Sequence, residues 1–182
     1  MYLSEYHLKE MGFRSIGKNV LVSTMASIYN PSKISIGDNS RIDDFCILSA
    51  GYGGIEIGRY VHIACYTSMI GKALIRMDDY SGLSSRVSIF SSSDKYDGEY
   101  MTNPCLPGIV LNTHHEAVIL GKHVVVGAGS VILPGVVLAD GCAVGAMSLV
   151  NKSFQANSIV AGVPAVFRKE RKSNIYELEK LL

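Results

Sequence analysis

The chain has 182 residues, 48% of them hydrophobic, and a formal net charge of +1. That length suffices for one domain with a sizeable core, and so small a charge makes no case for nucleic acid or an acidic membrane surface as partner. No apolar run approaches the roughly 20 residues of a transmembrane span, and the opening MYLSEYHLKEMG is too polar for a signal peptide, so a cytoplasmic protein without membrane contact is expected.

In chain order, Ser4 to Met11 followed by Gly12 reads as a short helix with a serine cap and a glycine stop. Apolar residues then recur every six positions: Ile16, Val22 and Ile28; Ile36, Ile42 and Leu48; Ile57, Ile63 and Met69; Met77, Leu83 and Ile89. A period of six is neither the 3.6 of a helix nor the 2.0 of a strand, so each hexapeptide is one short strand plus one corner, and three of them make a triangular coil. The aliphatic residue and a small residue four positions on point inward, where stacked coils bury a column that no single repeat buries alone. Gly37-Asp38-Asn39, Gly121 and Gly127 read as corners that need a positive φ without a Cβ clash. Insertions near Gly51-Tyr52-Gly53 and Gly71-Lys72 read as outward bulges.

From Phe90 to Ala117 the period disappears, and it returns in register at Leu120. This stretch is therefore an extruded loop leaving one corner of the prism and coming back, and its Tyr, Leu, Ile and Val content argues for a docked loop. The coils resume from about 117 to 152 with Leu120, Val126, Ile132, Leu138, Val144 and Val150. After Val150 the chain is expected to leave the prism. It ends in SNIYELEKLL, where Ser173 or Asn174 caps a helix with apolar residues at Ile175, Leu178, Leu181 and Leu182 that should dock on the prism or a neighbouring subunit. Residues 1–182 thus form a single all-β solenoid domain with coils at about 16–89 and 117–152, a loop at 90–117 and a tail at 153–182. Of the four cysteines, Cys46 and Cys142 fall on inward small-residue positions, Cys65 on a coil and Cys105 in the loop. With no CxxC spacing, all four read as reduced packing residues.

The repeat, the loop and the tail AGVPAVFRK together resemble the hexapeptide-repeat acyltransferases over nearly the whole chain. VGAGSVILPGV, VGAMSLVNK and AGVPA are similar to the coenzyme A end of the maltose and galactoside O-acetyltransferases. YVHIACYTSMIG, SGLSSRVSIFSSSD and YDGEYMTNP resemble more closely the bacterial N-acyltransferases that use dTDP-4-amino-4,6-dideoxyglucose. The resemblance implies a left-handed parallel β-helix, a homotrimer with active sites between subunits, acetyl-CoA as co-substrate and a nucleotide-linked amino sugar as acceptor, for cell-surface polysaccharide or O-antigen synthesis. No metal is implied. The left hand departs from the usual crossover rule and rests on the resemblance alone.

N-acylation needs a neutral amine, a group that takes its proton and donors for the charge that builds on the acyl oxygen. In the sugar O-acetyltransferases a histidine opening the loop is the base. Here the aligned stretch is Ser91-Ser92-Ser93-Asp94, so Asp94 and Glu99 take its place. A carboxylate is a weak base at its ordinary pKa near 4, yet it orients an amine and accepts its proton once desolvated; the competing reading of both acids is a solvated loop charge. His62 and Ser84 are candidates to line the cleft beside the sugar, set against a surface histidine and a turn serine. Tyr66 and Arg86 are candidates for the nucleotide sugar, Arg86 meeting the diphosphate through its planar fork or else forming a salt bridge. His114, His115 and His123 are rival bases, of which adjacent His114 and His115 point to opposite sides of an extended segment. His62, His115 and His123 lack the ligand spacing of a γ-carbonic anhydrase zinc site.

For coenzyme A the family match implies that Ala128, Gly129, Ala146 and Ser148 lie where the pantetheine arm approaches, Lys152 and Pro164 by the adenine, and Arg168 with Lys169 at the phosphates. The family's usual arginine two residues after the AGxP proline is Val166 here, which shifts the phosphate contact to Arg168, Lys169 or Arg171. An O-acetyltransferase with a histidine base, and a structural trimer without catalysis, are the competing functions.

Overall fold

The computed structural model describes residues 1–182 and is a left-handed β-solenoid of three parallel sheets. The first face stacks Ser15–Ile16, Ile34–Ile36, Ile55–Ile57, Ile75–Met77, Val118–Leu120 and Val137–Leu138. The second begins with Leu21–Val22, Arg41–Ile42, His62–Ile63, Gly82–Leu83, Val125–Val126 and Ala143–Val144. The third stacks Ser27–Tyr29, Ile47–Ala50, Ser68–Gly71, Ser88–Phe90, Val131–Ile132 and Leu149–Val150. Register follows the period: Ile42 lies over Val22 and under Ile63, and Leu83 lies under Val126 across the loop. The six-residue apolar positions are all buried except Ile16 and Ile28, which belong to the first coil and have no coil beneath them. Stacked at roughly 4.8 Å per coil, they form one continuous core, and truncating one fully buried member such as Leu48 to alanine would cost about 2–5 kcal/mol.

The corner Gly37-Asp38-Asn39 has the expected positive φ, at Asn39, but Gly121 and Gly127 do not sit at positive φ. A Cβ on Gly127 would lie 2.4 Å from the backbone N of Ala146 on the next coil, so close approach of the coils explains these glycines. The positive-φ sites are held mostly by Asn, Tyr, His, Phe, Arg and Met, for example Asn39 at 57°, Tyr80 at 61° and His123 at 59°. That conformation costs an L-residue about 1–2 kcal/mol, offset by stacking on equivalent residues above and below. At the first corner, between the first and second faces, Tyr60, Tyr80 and His123 stack 5.2 and 5.1 Å apart, nearly parallel. At the second corner, between the second and third faces, Phe45 stacks on Tyr66 at 4.9 Å and the Arg86 guanidinium lies over the Tyr66 ring at 5.3 Å.

The helix α1 (Glu5–Glu10) covers the first coil, and the Ser4 side chain accepts a hydrogen bond from the His7 backbone N–H as its cap. The tail does not leave the prism after Val150. Ser158–Gly162 pairs in parallel with Ala143–Val144 and extends the second face, and Ala165–Glu170 returns antiparallel to it. The terminal helix α2 (Ile175–Glu179) docks by its polar side: Tyr176 donates to Asn157 Oδ1 at 2.8 Å and Glu179 meets His123 at 2.7 Å and Lys122 at 3.4 Å. Leu178, and Leu181 and Leu182 beyond it, are exposed in the single chain, so of the expected docking only that on the prism is seen, and it is polar. The Asn174 side chain makes no cap bond. All four cysteines are free, and burial pushes the Cys46 thiol up to about 11, as befits a packing residue.

The extruded stretch is more ordered than a docked loop. Ser92–Asp94 and Thr113–His115 pair as an antiparallel hairpin at the third corner, between the third and first faces, where the Gly51 and Gly71 insertions are stacked. No helix is long and apolar enough to cross a membrane.

Candidate active site

His62 and Ser84 lie on adjacent coils of the second face and line one shallow depression of about 300 Å3 together with Ala64, Gly82, Ser85 and Val125. The His62 Nε2 is 2.8 Å from Asp43 Oδ2 and 2.9 Å from Arg41 Nη2, so the ring is held by the coil below. A cavity of about 1170 Å3 lies elsewhere, between α1 and the first coil, lined by Leu3, Leu8, Phe13 and Ile16.

The depression opens beside the second corner. There the backbone N–H of each left-handed residue donates to the coil below, Tyr66 to Asp44, Arg86 to Cys65, Gly129 to Ser85 and Met147 to Ala128. Tyr66 and Arg86, the candidate sugar-nucleotide residues, therefore stand in one line with Gly129 and with exposed Ala128 and Ala146, the candidate pantetheine residues. Arg86 forms no salt bridge; its plane is spent on Tyr66. Ser148 does not belong to this line. It is 2% exposed and turned inward, where its hydroxyl donates to the Gly145 carbonyl at 2.7 Å and accepts from the Gly162 N–H at 3.1 Å, because that position of the repeat faces the core.

Beyond the last coil, Lys152, Arg168 and Lys169 are exposed cations without a carboxylate partner, and Pro164 sits exposed in the turn joining the hairpin strands. Lys152 Nζ lies 5.8 Å from the centre of the Phe154 ring. The hairpin register shifts at Ile159/Val160, which leaves Arg168 unpaired on a bulge beside Gly162. Arg171 is not a free cation, since its Nη1 donates to the carbonyls of His123 and Gly141 at 2.8 and 3.2 Å. An extended, amide-rich arm ending in phosphates fits such a surface: side chains small enough to admit it along the corner, then unpaired cations at the end.

Asp94 lies on the other side of the third face, on the hairpin. Its Oδ1 accepts from Thr113 Oγ1 at 3.0 Å. Glu99 is farther out, exposed, with Lys95 Nζ at 3.7 Å, so within one chain it is a solvated charge. Of the rival bases, His123 is enclosed by Tyr80, Tyr176 and Glu179 and has a structural role. His114 faces away and meets Glu116 at 3.0 Å. His115 shares the face of Asp94: its Nδ1 is 2.8 Å from Ser92 Oγ. Burial, with the neighbouring Lys72 and His114, holds the His115 imidazole below its ordinary 6.5. Sequence reasoning missed Ser92 and Thr113 as supports of the acid and the histidine; the break in the period just before Ser91 was the signal that side chains here serve something other than the core. No group of three or more His, Cys, Asp or Glu residues is placed to hold a metal ion.

The candidate residues of one chain thus fall into two groups, the depression and line of the second corner, and the hairpin at the third. The model of the bacterial transferase hexapeptide (six repeats) matches residues 117–152. The fold superposes on AntD, an N-acyltransferase from Bacillus cereus, in the complex of its D94N mutant with dTDP and coenzyme A, with a TM-score of 0.95, 47% identity, and coverage of 99% of this chain and 96% of that one. With AntD bound to dTDP and 3-hydroxybutyryl-CoA the TM-score is 0.93 at 46% identity, over 99% and 95% of the two chains. The dTDP-4-amino-4,6-dideoxy-D-glucose acyltransferase of Escherichia coli is 50% identical over 180 residues, which are 99% of this chain and 94% of that protein. Identity of that extent, on this fold, places the chain in the family of that enzyme, among the hexapeptide-repeat acyltransferases.

Proposed function

We propose that the protein transfers an acetyl group from acetyl-CoA to the amine of a nucleotide-linked deoxyamino sugar, dTDP-4-amino-4,6-dideoxyglucose being the reading its relatives favour, in the synthesis of a cell-surface polysaccharide such as O-antigen. The observation that carries this reading is the single line of the second corner. It sets a planar, cationic pair, Tyr66 and Arg86, below the small residues Ala128, Gly129 and Ala146, beside which the exposed Met147 is the one large side chain. An acceptor and a thioester bound end to end along that line meet beside Ser84 and His62. Lys152 and Pro164 then flank the adenine, and Arg168 with Lys169 the phosphates.

Bound acetyl-CoA supplies an activated carbonyl carbon. The amine nitrogen adds to that carbon and the acyl oxygen takes up negative charge, the amine proton passes to Asp94, and as the carbonyl re-forms the carbon–sulfur bond breaks and the departing thiolate takes that proton from Asp94 to become the free thiol. Holding the two reactants in line contributes up to about 7–11 kcal/mol in favourable cases, and the proton acceptor about 10²- to 10⁴-fold in rate. AntD was crystallised with substitutions at positions numbered 94 and 84 in complexes with coenzyme A and dTDP or dTDP-4-amino-4,6-dideoxyglucose, and the residues bearing those numbers here are Asp94 and Ser84. The two groups of candidate residues in one chain lie on different sides of the third face, which supports a cyclic homotrimer in which the hairpin of one subunit, with Asp94 and Glu99, closes over the second corner of the next. The reading makes the enzyme a cytoplasmic one. The test is to incubate the protein with acetyl-CoA and a panel of nucleotide-linked amino sugars and follow free thiol. Thiol release with a 4-amino sugar is expected, and a panel with no response overturns the reading. Light scattering of the purified protein at three times the chain mass checks the trimer.

A further inference from the structure

The hairpin at the third corner constrains where His115 carries its proton. Ser92 Oγ accepts the backbone N–H of Lys72 at 2.8 Å, and its only other partner is His115 Nδ1, also at 2.8 Å. Lys72 takes one of the two lone pairs of Ser92 Oγ, and the chain offers the single Ser92 hydrogen no acceptor other than His115 Nδ1, so the arrangement that satisfies the whole hydroxyl sends that hydrogen to Nδ1. In it His115 Nδ1 accepts, and a neutral ring carries its hydrogen on Nε2. The ring is neutral at neutral pH, since burial and the cationic groups Lys72 and His114 disfavour its charged form while only Asp94 opposes them; the remaining neighbour, Tyr52, presents a ring edge at 6.5 Å between centres. Nε2 makes no hydrogen bond within the chain.

The cross-strand register places Ser92 opposite His115 and Asp94 opposite Thr113, so all four side chains share one face of the hairpin. The Thr113 hydroxyl is spent on Asp94 and the Ser92 hydroxyl on His115. That leaves one unpartnered donor on the face that carries the candidate proton acceptor.

We infer that His115 is the electrophilic partner of Asp94: a neutral imidazole whose Nε2–H donates to the acyl oxygen of the thioester as negative charge builds there, with Ser92 as the positioning residue that fixes its tautomer. This assignment rests on the amine-acylation reading and removes His115 as a base, because its one ring nitrogen without a partner in the chain already holds a hydrogen. A fixed donor aimed at a developing oxyanion is worth about 10²- to 10³-fold in rate.

Nitrogen-15 NMR of the whole protein at pH 8, with His115 assigned by loss of its signals in His115→Gln, tests the tautomer without any substrate. A protonated Nε2 and a bare Nδ1 are expected, and a protonated Nδ1 overturns the inference. Thiol release then separates the roles. His115→Gln keeps an amide N–H donor and loses any basic nitrogen, so kcat should stay within about tenfold of wild type, whereas His115→Phe should lose about 10²- to 10³-fold in kcat with KM for both substrates little changed. Equal loss in the two variants, or no loss in either, contradicts the donor role. Failure of the wild-type protein to release thiol with any amino sugar would instead count against the proposed function, and the NMR result would stand apart from it.

Discussion

The first and second corners use the same turn and end differently. At the first, the ladder Tyr60, Tyr80 and His123 is interrupted by Gly141, and the chain fills the gap itself: Tyr176 of α2 meets His123 edge-on at 5.3 Å, and a Cβ on Gly141 would lie 2.5 Å from the Tyr176 hydroxyl. At the second, the ladder Phe45, Tyr66 and Arg86 is interrupted by Gly129, and no segment of the chain covers it; only the Met147 thioether leans over the glycine. A closed ladder anchors the C-terminus, and an open one leaves a planar, cationic platform followed by a glycine over which one methionine leans. On the proposed function, the contrast separates stability from function within one repeat.

The largest expected effect concerns neither ladder but the hairpin at the third corner. Asp94→Asn should lower kcat for amine acylation by about 10²- to 10⁴-fold while leaving thermal stability and the docking of α2 unchanged; nearly full activity would remove the carboxylate from the mechanism. Next comes the closed corner, where Tyr80→Ala deletes two ring stacks and should reduce stability by about 1–3 kcal/mol in a denaturant titration, with KM for acetyl-CoA unaffected. Gly129→Ala should show both effects. Its φ of +70° and the overlying Met147 sulfur make any side chain unwelcome, so stability should fall by about 1–2 kcal/mol, and the apparent affinity for acetyl-CoA should fall about tenfold, equivalent to about 1.4 kcal/mol.

The smallest effect is a pH response confined to the closed corner. Hydrogen bonding from His123, with Lys122 beside it, holds the Glu179 carboxyl below its ordinary 4.5. The folded state therefore binds this proton less readily than the unfolded chain does. The contribution of Glu179 is present in full above pH 4.5 and is lost as pH falls through the lower folded value. Amide exchange over residues 175–179 should accelerate there before the coils respond, and uniform exchange across the prism would contradict the assignment.

The period of six made most of the prism legible, because burial of a stacked column imposes it on every coil; Val22, Ile42, Ile63 and Leu83 needed no further information to be placed. The corners were less legible. Positive φ is cheap for glycine alone, yet Tyr80 and Arg86 adopt it because a neighbour one coil away, 20 or more residues distant in sequence, stacks on them. For the same reason the tail misled: Ser158–Gly162 breaks the hexapeptide spacing and still joins the second face, where backbone pairing rather than side-chain pattern decides. In the site, the interruptions pointed to Asp94 and to the basic tail. They did not separate Ser148, whose small side chain suits both a core column and a ligand wall, nor reveal that Ser92 spends its hydroxyl on His115.

The most direct test of the account is a matched pair of acceptors, the dTDP-linked 4-amino-4,6-dideoxy sugar and its 4-hydroxy counterpart, each incubated with the wild-type protein and acetyl-CoA while free thiol is followed. With a carboxylate where the O-acetyltransferases carry a histidine, thiol release is predicted with the amine alone; equal or faster release with the hydroxyl would contradict it.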